Sequence, residues 1–309
     1  MLKTKQNQKN IFTFIKLILF VGVLGLVYWQ VISFDKNAWV EFRLEHPVSL
    51  FAAVILVLPN IWFAYKKWST TLNVVVPRTP VKKKLQSFFA GIVTGMLTPN
   101  MIGNFIGRFY YFKREFRSQI ILFTLLSNYA QFLASLTFGW IAVLIVGDFY
   151  VIGSTKSFLI WLGIGVIIAY LVYFFIDNFM FRIRSKGYFK RFNEALKKHG
   201  SFRFKILGFS FARFFIFTLQ YSLVLHAFGE PLSLYLIMAI WQVYLLTMIA
   251  PSLLLGKIGV REFISITILT GIGVNDFAVL FASLIIWFVN SLSPALVGLI
   301  ICKKPSTDV

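Results

Sequence analysis

Two short segments hold most of the residues that could act on a ligand. The first runs Thr98-Pro99-Asn100-Met101-Ile102-Gly103-Asn104-Phe105-Ile106-Gly107-Arg108, and the second spans Pro251 through Gly256 and Gly259 to Arg261 and Glu262. Each has a proline, then glycines, then an arginine. Proline inside a helix removes a backbone donor and clashes with the preceding turn, so a helix is expected to break near Thr98-Pro99-Asn100. A helix that starts inside a membrane points unpaired N–H groups and the positive end of its dipole at what lies before it, which favours an anion such as phosphate. Arg108 and Arg261 would add planar donor forks that match two phosphate oxygens at once. The plainer reading of Arg108 is a side chain snorkelling to the membrane interface.

Glu262 follows Arg261 directly in apolar surroundings, where an unpaired carboxylate is costly. Adjacent helical residues do not face one another, so Glu262 is expected to pair with another element, through Arg108 or Arg213. Arg213 shares a helix face with Gln220, Asn128 and Gln131 share another, and Asn60 follows Pro59 in the middle of an apolar helix. Together these could line one cavity, although each alone is more often an interhelical hydrogen bond. Cys302 is the only cysteine, and His46, His199 and His226 lie far apart, so no metal-ligand spacing is present and no cofactor is expected. A membrane-embedded transferase would want paired carboxylates, a histidine base or a metal cluster. The 11 acidic residues fall mostly in connecting segments, and no catalytic constellation is visible.

The elements that must position these residues follow from composition. Of 309 residues 58% are hydrophobic and 14% charged, too few polar groups to cover a soluble globule. Apolar stretches of about 20 residues, the length that crosses a bilayer, recur throughout. Lipid offers no partners to backbone groups, so the expected fold class is all-α: a polytopic transmembrane bundle of about seven or eight spans, with one or two broken, re-entrant helix elements. The net charge of +20 is distributed between the spans, which argues for membrane topology and against nucleic acid.

The whole chain, 1–309, reads as one integral membrane domain. Residues 1–10 form a basic tail, and the apolar stretch 11–32 is long enough to be retained as a first helix. The basic stretches 65–84 and 177–205 read as cytosolic loops, as does the tail 303–309. Segment 85–107 has basic residues beyond both ends and is therefore expected to be re-entrant, and 250–274 forms the second motif. This topology predicts a multi-pass protein of the cell (inner or cytoplasmic) membrane with a cytosolic amino terminus.

The two segments resemble the signature regions of the lysylphosphatidylglycerol synthase transmembrane-region family, a group of flippase-like integral membrane proteins. The resemblance covers nearly the whole chain. It is carried by Thr98-Pro99-Asn100 with Gly103, Gly107 and Arg108, and by Pro251 with Gly259-Val260-Arg261-Glu262. It implies a bundle that moves phosphate-bearing lipids between leaflets, without the soluble aminoacyl-transferase domain that some members carry. Asn104 stands where the family usually has glutamate, which removes a carboxylate but keeps an acceptor and adds donors.

The leading expectation is a lipid transporter in which Arg108, Arg261, Glu262, Asn104 and Arg213 surround an anionic headgroup. The alternatives are a non-catalytic membrane partner acting through its basic loops and, further off, a lipid transferase. Membrane lipids are the expected partners, and protein partners are not legible.

Overall fold

The computed structural model of the protein describes residues 25, 28, 29, 32, 34, 42–98, 101–146, 156–183, 187–250 and 259–302. The amino-terminal tail, most of the expected first helix, Pro99, Pro251, Gly256 and the tail 303–309 lie outside these residues. Among the described residues every regular element is helical: α1 Pro47–Ile55, α2 Val57–Val75, α3 Val81–Met96, α4 Gly103–Phe109, α5 Arg114–Val146, α6 Lys156–Ile183, α7 Tyr188–Lys198, α8 Phe202–Ala227, α9 Leu234–Ile249, α10 Val260–Leu269, α11 Asp276–Trp287 and α12 Ser293–Ile301. A π-helical turn, Phe288–Leu292, joins α11 to α12. Among these residues 5 helical stretches are long and apolar enough to cross a bilayer: Pro47–Val75, Arg114–Val146, Leu159–Ile176, Phe202–Ala227 and Asp276–Ile301. Leu234–Ile249 is apolar but shorter. The chain is an all-α polytopic bundle, as its composition requires.

Helices α1 and α2 form one rod with a joint at Leu56. Pro59 has no N–H to offer the carbonyl of Ile55, so the helical ladder is interrupted at that point and resumes one turn on. The rod runs deeper into the basic stretch 65–84 than its charges foretell, because Trp68, Leu72 and Val75 repeat at helical spacing and are all buried. The indole N–H of Trp68 then reaches the Lys84 carbonyl at 3.2 Å and Ser87 Oγ at 3.0 Å, tying the end of α2 to the start of α3. Only the turn between Val75 and Val81, with Arg78 at φ 65°, is non-helical.

Helices α3 and α4 run antiparallel as a tight hairpin. A Cβ on Gly103 would collide with the Thr94 carbonyl, and one on Gly107 with the Ala90 carbonyl, so the two backbones touch. Thr94 Oγ1 lies 2.7 Å from the Ala90 oxygen and 2.6 Å from the Gly103 oxygen, bridging both helices. At the break, Thr98 Oγ1 accepts the Gly103 N–H at 2.6 Å. One backbone donor at the start of α4 is thus satisfied within the protein. Gly107→Ala is expected to pry this hairpin open at a cost of about 1–3 kcal/mol. A thermal melt of the purified protein, several degrees below wild type, would show it, whereas an unchanged melt would mean the helices can separate freely.

Around the hairpin, α5 packs on α2, α6, α8 and α9, while α12 packs on α3 with Gly298 against the Phe89 backbone. Helix α10 lies between α9 and α11. His46 and His226, far apart in sequence, stack at 4.3 Å because the Glu45 and His46 amides both donate to the Ala227 carbonyl.

Candidate functional site

The π turn in the last helix is where the site begins. Pro294 lacks the N–H that would pair with the Asn290 carbonyl, so the helix widens and turns Asn290 and Ser291 toward the bundle interior. Facing them are Asn60 on α2, Arg213 on α8, and Asn104 and Arg108 on α4. These residues line one cleft of about 160 Å³, whose remaining wall is apolar and includes Ile92, Met96 and Met101.

A directional hydrogen-bond chain crosses this cleft. Arg213 Nε donates to Asn60 Oδ1 at 2.9 Å, Asn60 Nδ2 donates to Asn290 Oδ1 at 2.5 Å, and Asn290 Nδ2 donates to Gln220 Oε1 at 3.0 Å. Gln220 Nε2 closes it by donating to the Ala53 carbonyl at 3.0 Å. Arginine can only donate, so it fixes the orientation of each amide after it.

Arg108 is held differently. Its guanidinium lies 4.8 Å from the Trp68 ring centre and 6.0 Å from that of Phe88. Gly91 makes the room, since a Cβ there would sit 2.6 Å from Arg108 Cγ and 2.7 Å from Asn104 Oδ1. Arg108 Nε and Asn104 Oδ1 are both buried and have no hydrogen-bond partner. The interfacial snorkelling that the sequence allows for Arg108 is not what the fold does: the side chain turns into the bundle.

A third cation stands behind the cleft. Lys67, two turns beyond Asn60 on the same face of α2, is 5% exposed. Its Nζ donates to the Ser127 carbonyl at 3.0 Å and to Gln131 Oε1 at 3.5 Å. Arg213 acts electrostatically on both Lys67 and Arg108, and Arg108 on Lys67, so the three charges share one field. None of them forms an ion pair with a described carboxylate. Sequence reasoning placed Lys67 in a cytosolic loop. Its spacing from Asn60 and its position beside a buried tryptophan were the signals available.

The second motif makes a closed structure of its own. Glu262 sits in the first turn of α10 and folds back along the axis, so that Oε2 accepts the Gly259 N–H at 2.6 Å. Its Oε1 accepts from Arg261 Nη2 at 2.7 Å and from Ser283 Oγ at 2.8 Å. Arg261 also donates to the Ser283 carbonyl on α11. The expectation that Glu262 pairs with Arg108 or Arg213 is therefore corrected: its partner is the neighbouring Arg261. The rule that adjacent residues diverge fails here because a first-turn glutamate bends back toward the helix start and a long arginine wraps around to meet it. Gly259, at φ +82°, supplies the sharp entry.

Arg108, Asn104 and Arg213 are thus brought together, while Arg261 and Glu262 do not line the cleft. Gln131 joins the network through Lys67, and Asn128 is exposed. One amide at each of these helix starts is engaged within the protein, Gly103 N–H by Thr98 and Gly259 N–H by Glu262. The two motifs also differ in register, since Arg108 ends a helix and Arg261 begins one.

Long apolar helices around an inward-facing polar cleft define an integral, multi-pass membrane protein. The chain belongs to the lysylphosphatidylglycerol synthase transmembrane-region family, whose model matches residues 13–298. It is thereby a member of a lipid-related membrane family. No curated protein and no solved structure matches the chain.

Proposed function

We propose that the protein moves a phosphate-bearing lipid between the leaflets of the cell membrane, with the phosphate held by Arg108 and Arg213 and the acyl chains left in the bilayer. The observation that carries this reading is the uncompensated charge of the cleft. Each ion taken from water into a protein interior costs several kcal/mol, about 3–5, unless a counter-charge meets it. Lys67, Arg108 and Arg213 meet none among the described residues. A bound anion offsets that penalty, and a lipid phosphate is an anion that the membrane itself supplies.

The cleft is also amphipathic in the sense a lipid requires. Its cationic groups share the space with Ile92, Met96 and Met101, and Leu97 and Ile102 are exposed beside the hairpin tip, where hydrocarbon is the natural solvent. Lys82, Lys83 and Lys84 lie in the first turn of α3, and Lys113, Arg114 and Arg117 follow α4. Both feet of the hairpin then rest on the cytosolic face, with its tip inside the membrane. In this reading Arg261 and Glu262 brace α10 against α11, and the amino terminus is cytosolic.

The test is transbilayer movement of fluorescent phospholipids in vesicles containing the purified protein, followed by chemical quenching of the outer leaflet. Protein-containing vesicles are expected to lose nearly all fluorescence, and protein-free vesicles about half. If no phosphate-bearing lipid in a panel of phospholipids and polyprenyl phosphates moves faster than in empty vesicles, transport is excluded.

A further inference from the structure

We infer that the cleft takes a headgroup ending in a dianionic phosphate, a phosphomonoester or terminal diphosphate, in preference to the singly charged phosphodiester of ordinary phospholipids; this rests on the cleft being a phosphate site. Charge balance is the first reason. Arg108 and Arg213 bring two guanidinium charges to the cleft, and Lys67 stands behind them in the same field. A phosphodiester carries one negative charge and would leave one guanidinium unmatched in a poorly screening medium. A phosphomonoester, whose second proton leaves near a pKa of about 6, carries close to two at pH 8.

Donor count points the same way. Arg213 spends Nε on Asn60 and keeps its terminal nitrogens, and Arg108 presents a buried Nε with no partner. A monoester offers three free oxygens to these forks where a diester offers two.

The experiment is equilibrium binding of radiolabelled phosphatidic acid and phosphatidylglycerol, with identical acyl chains, to the full-length protein in detergent micelles at pH 8 and pH 5. The titratable groups facing the site are Arg108 from α4 and Arg213 from α8, with Lys67 of α2 behind them, while α3 and the last helix present none. Phosphatidylglycerol, whose charge is constant over this range, therefore reports any titration of the protein itself. The expected result is that phosphatidic acid binds about tenfold more tightly at pH 8, one unmatched charge being worth on the order of 1.4 kcal/mol. The preference should fall below about threefold at pH 5, where the monoester is mostly singly charged. Asn104→Glu, which adds a negative charge beside Arg108, should abolish the preference at pH 8.

Equal affinities at pH 8, or a preference unchanged between the two pH values, would overturn the inference and leave lipid transport standing. Binding of neither lipid would overturn both. Inorganic pyrophosphate separates a lipid headgroup from a free phosphate. Displacement of phosphatidic acid only at an excess of about 100-fold or more supports a lipid anchored by its chains, whereas displacement at equal concentration overturns the lipid assignment.

Discussion

Replacing Arg108 with glutamine is expected to abolish the proposed lipid movement in reconstituted vesicles and to leave the protein at least as stable as the native chain. Both halves of this result follow from the same fact. Arg108 is packed on Trp68 and Phe88 with its Nε unbonded and no described carboxylate paired with it, so in the empty protein its charge gains only the attraction of the rings, about 0.5–2 kcal/mol, against a burial cost of several kcal/mol. Replacing a buried uncompensated charge by a neutral group of similar shape is neutral or stabilising, so the melting temperature in detergent should hold or rise. Binding loses a charged, desolvated donor, typically 2–5 kcal/mol, which is about 30-fold or more in affinity and a comparable loss in transport at limiting lipid. Arg213→Gln should lose transport similarly. A clear drop in melting temperature in Arg108→Gln, with transport near native, would reassign that residue to the framework.

The opposite pattern is expected for Glu262→Ala. This carboxylate is 1% exposed and meets Gly259, Arg261 and Ser283 at once, so its loss leaves Arg261 charged and unpaired between two helices. Breaking one side of a buried pair costs about 3–5 kcal/mol, enough to lower the melting temperature by many degrees or to prevent accumulation of folded protein. Ser283→Ala, which removes one hydrogen bond and no charge, should cost only about 1 kcal/mol. Melting curves of both variants in the same detergent test the ranking. If Glu262→Ala melts like the native protein, the pair carries no structural weight, and Arg261 becomes available for another role. The two arginines singled out by their motifs are thus set apart by the sign of one measurement.

Much of the fold was legible because lipid leaves the chain few choices. Long apolar runs had to be helices, the Thr98-Pro99-Asn100 region had to interrupt one, and basic residues had to gather at the ends. Part of the cleft was legible too: Asn104, Arg108, Arg213, Asn60 and Gln220 could be chosen because polar side chains in apolar helices need a reason. Two members were hidden. Lys67 looked like one more basic residue after a span, since its burial depends on Trp68, Leu72 and Val75 extending the helix, which charge counting overlooks. Asn290 fell inside a stretch read as an unbroken last helix, although Pro294 four residues on was the clue that the ladder widens there. The partner of Glu262 was misjudged because helix-surface spacing rules describe the middle of a helix, and this residue lies in a first turn.

The amide contact between Asn60 and Asn290 spans 230 positions of sequence. During synthesis, Asn60 and Arg213 enter the membrane well before Asn290 exists to meet them. The cleft therefore remains open on one side until the final helix is inserted, and every nascent chain passes through an interval in which its cations face the bilayer or the insertion machinery without their last wall. The order of biosynthesis makes the carboxy-terminal helix the step at which a set of inserted helices becomes a closed site.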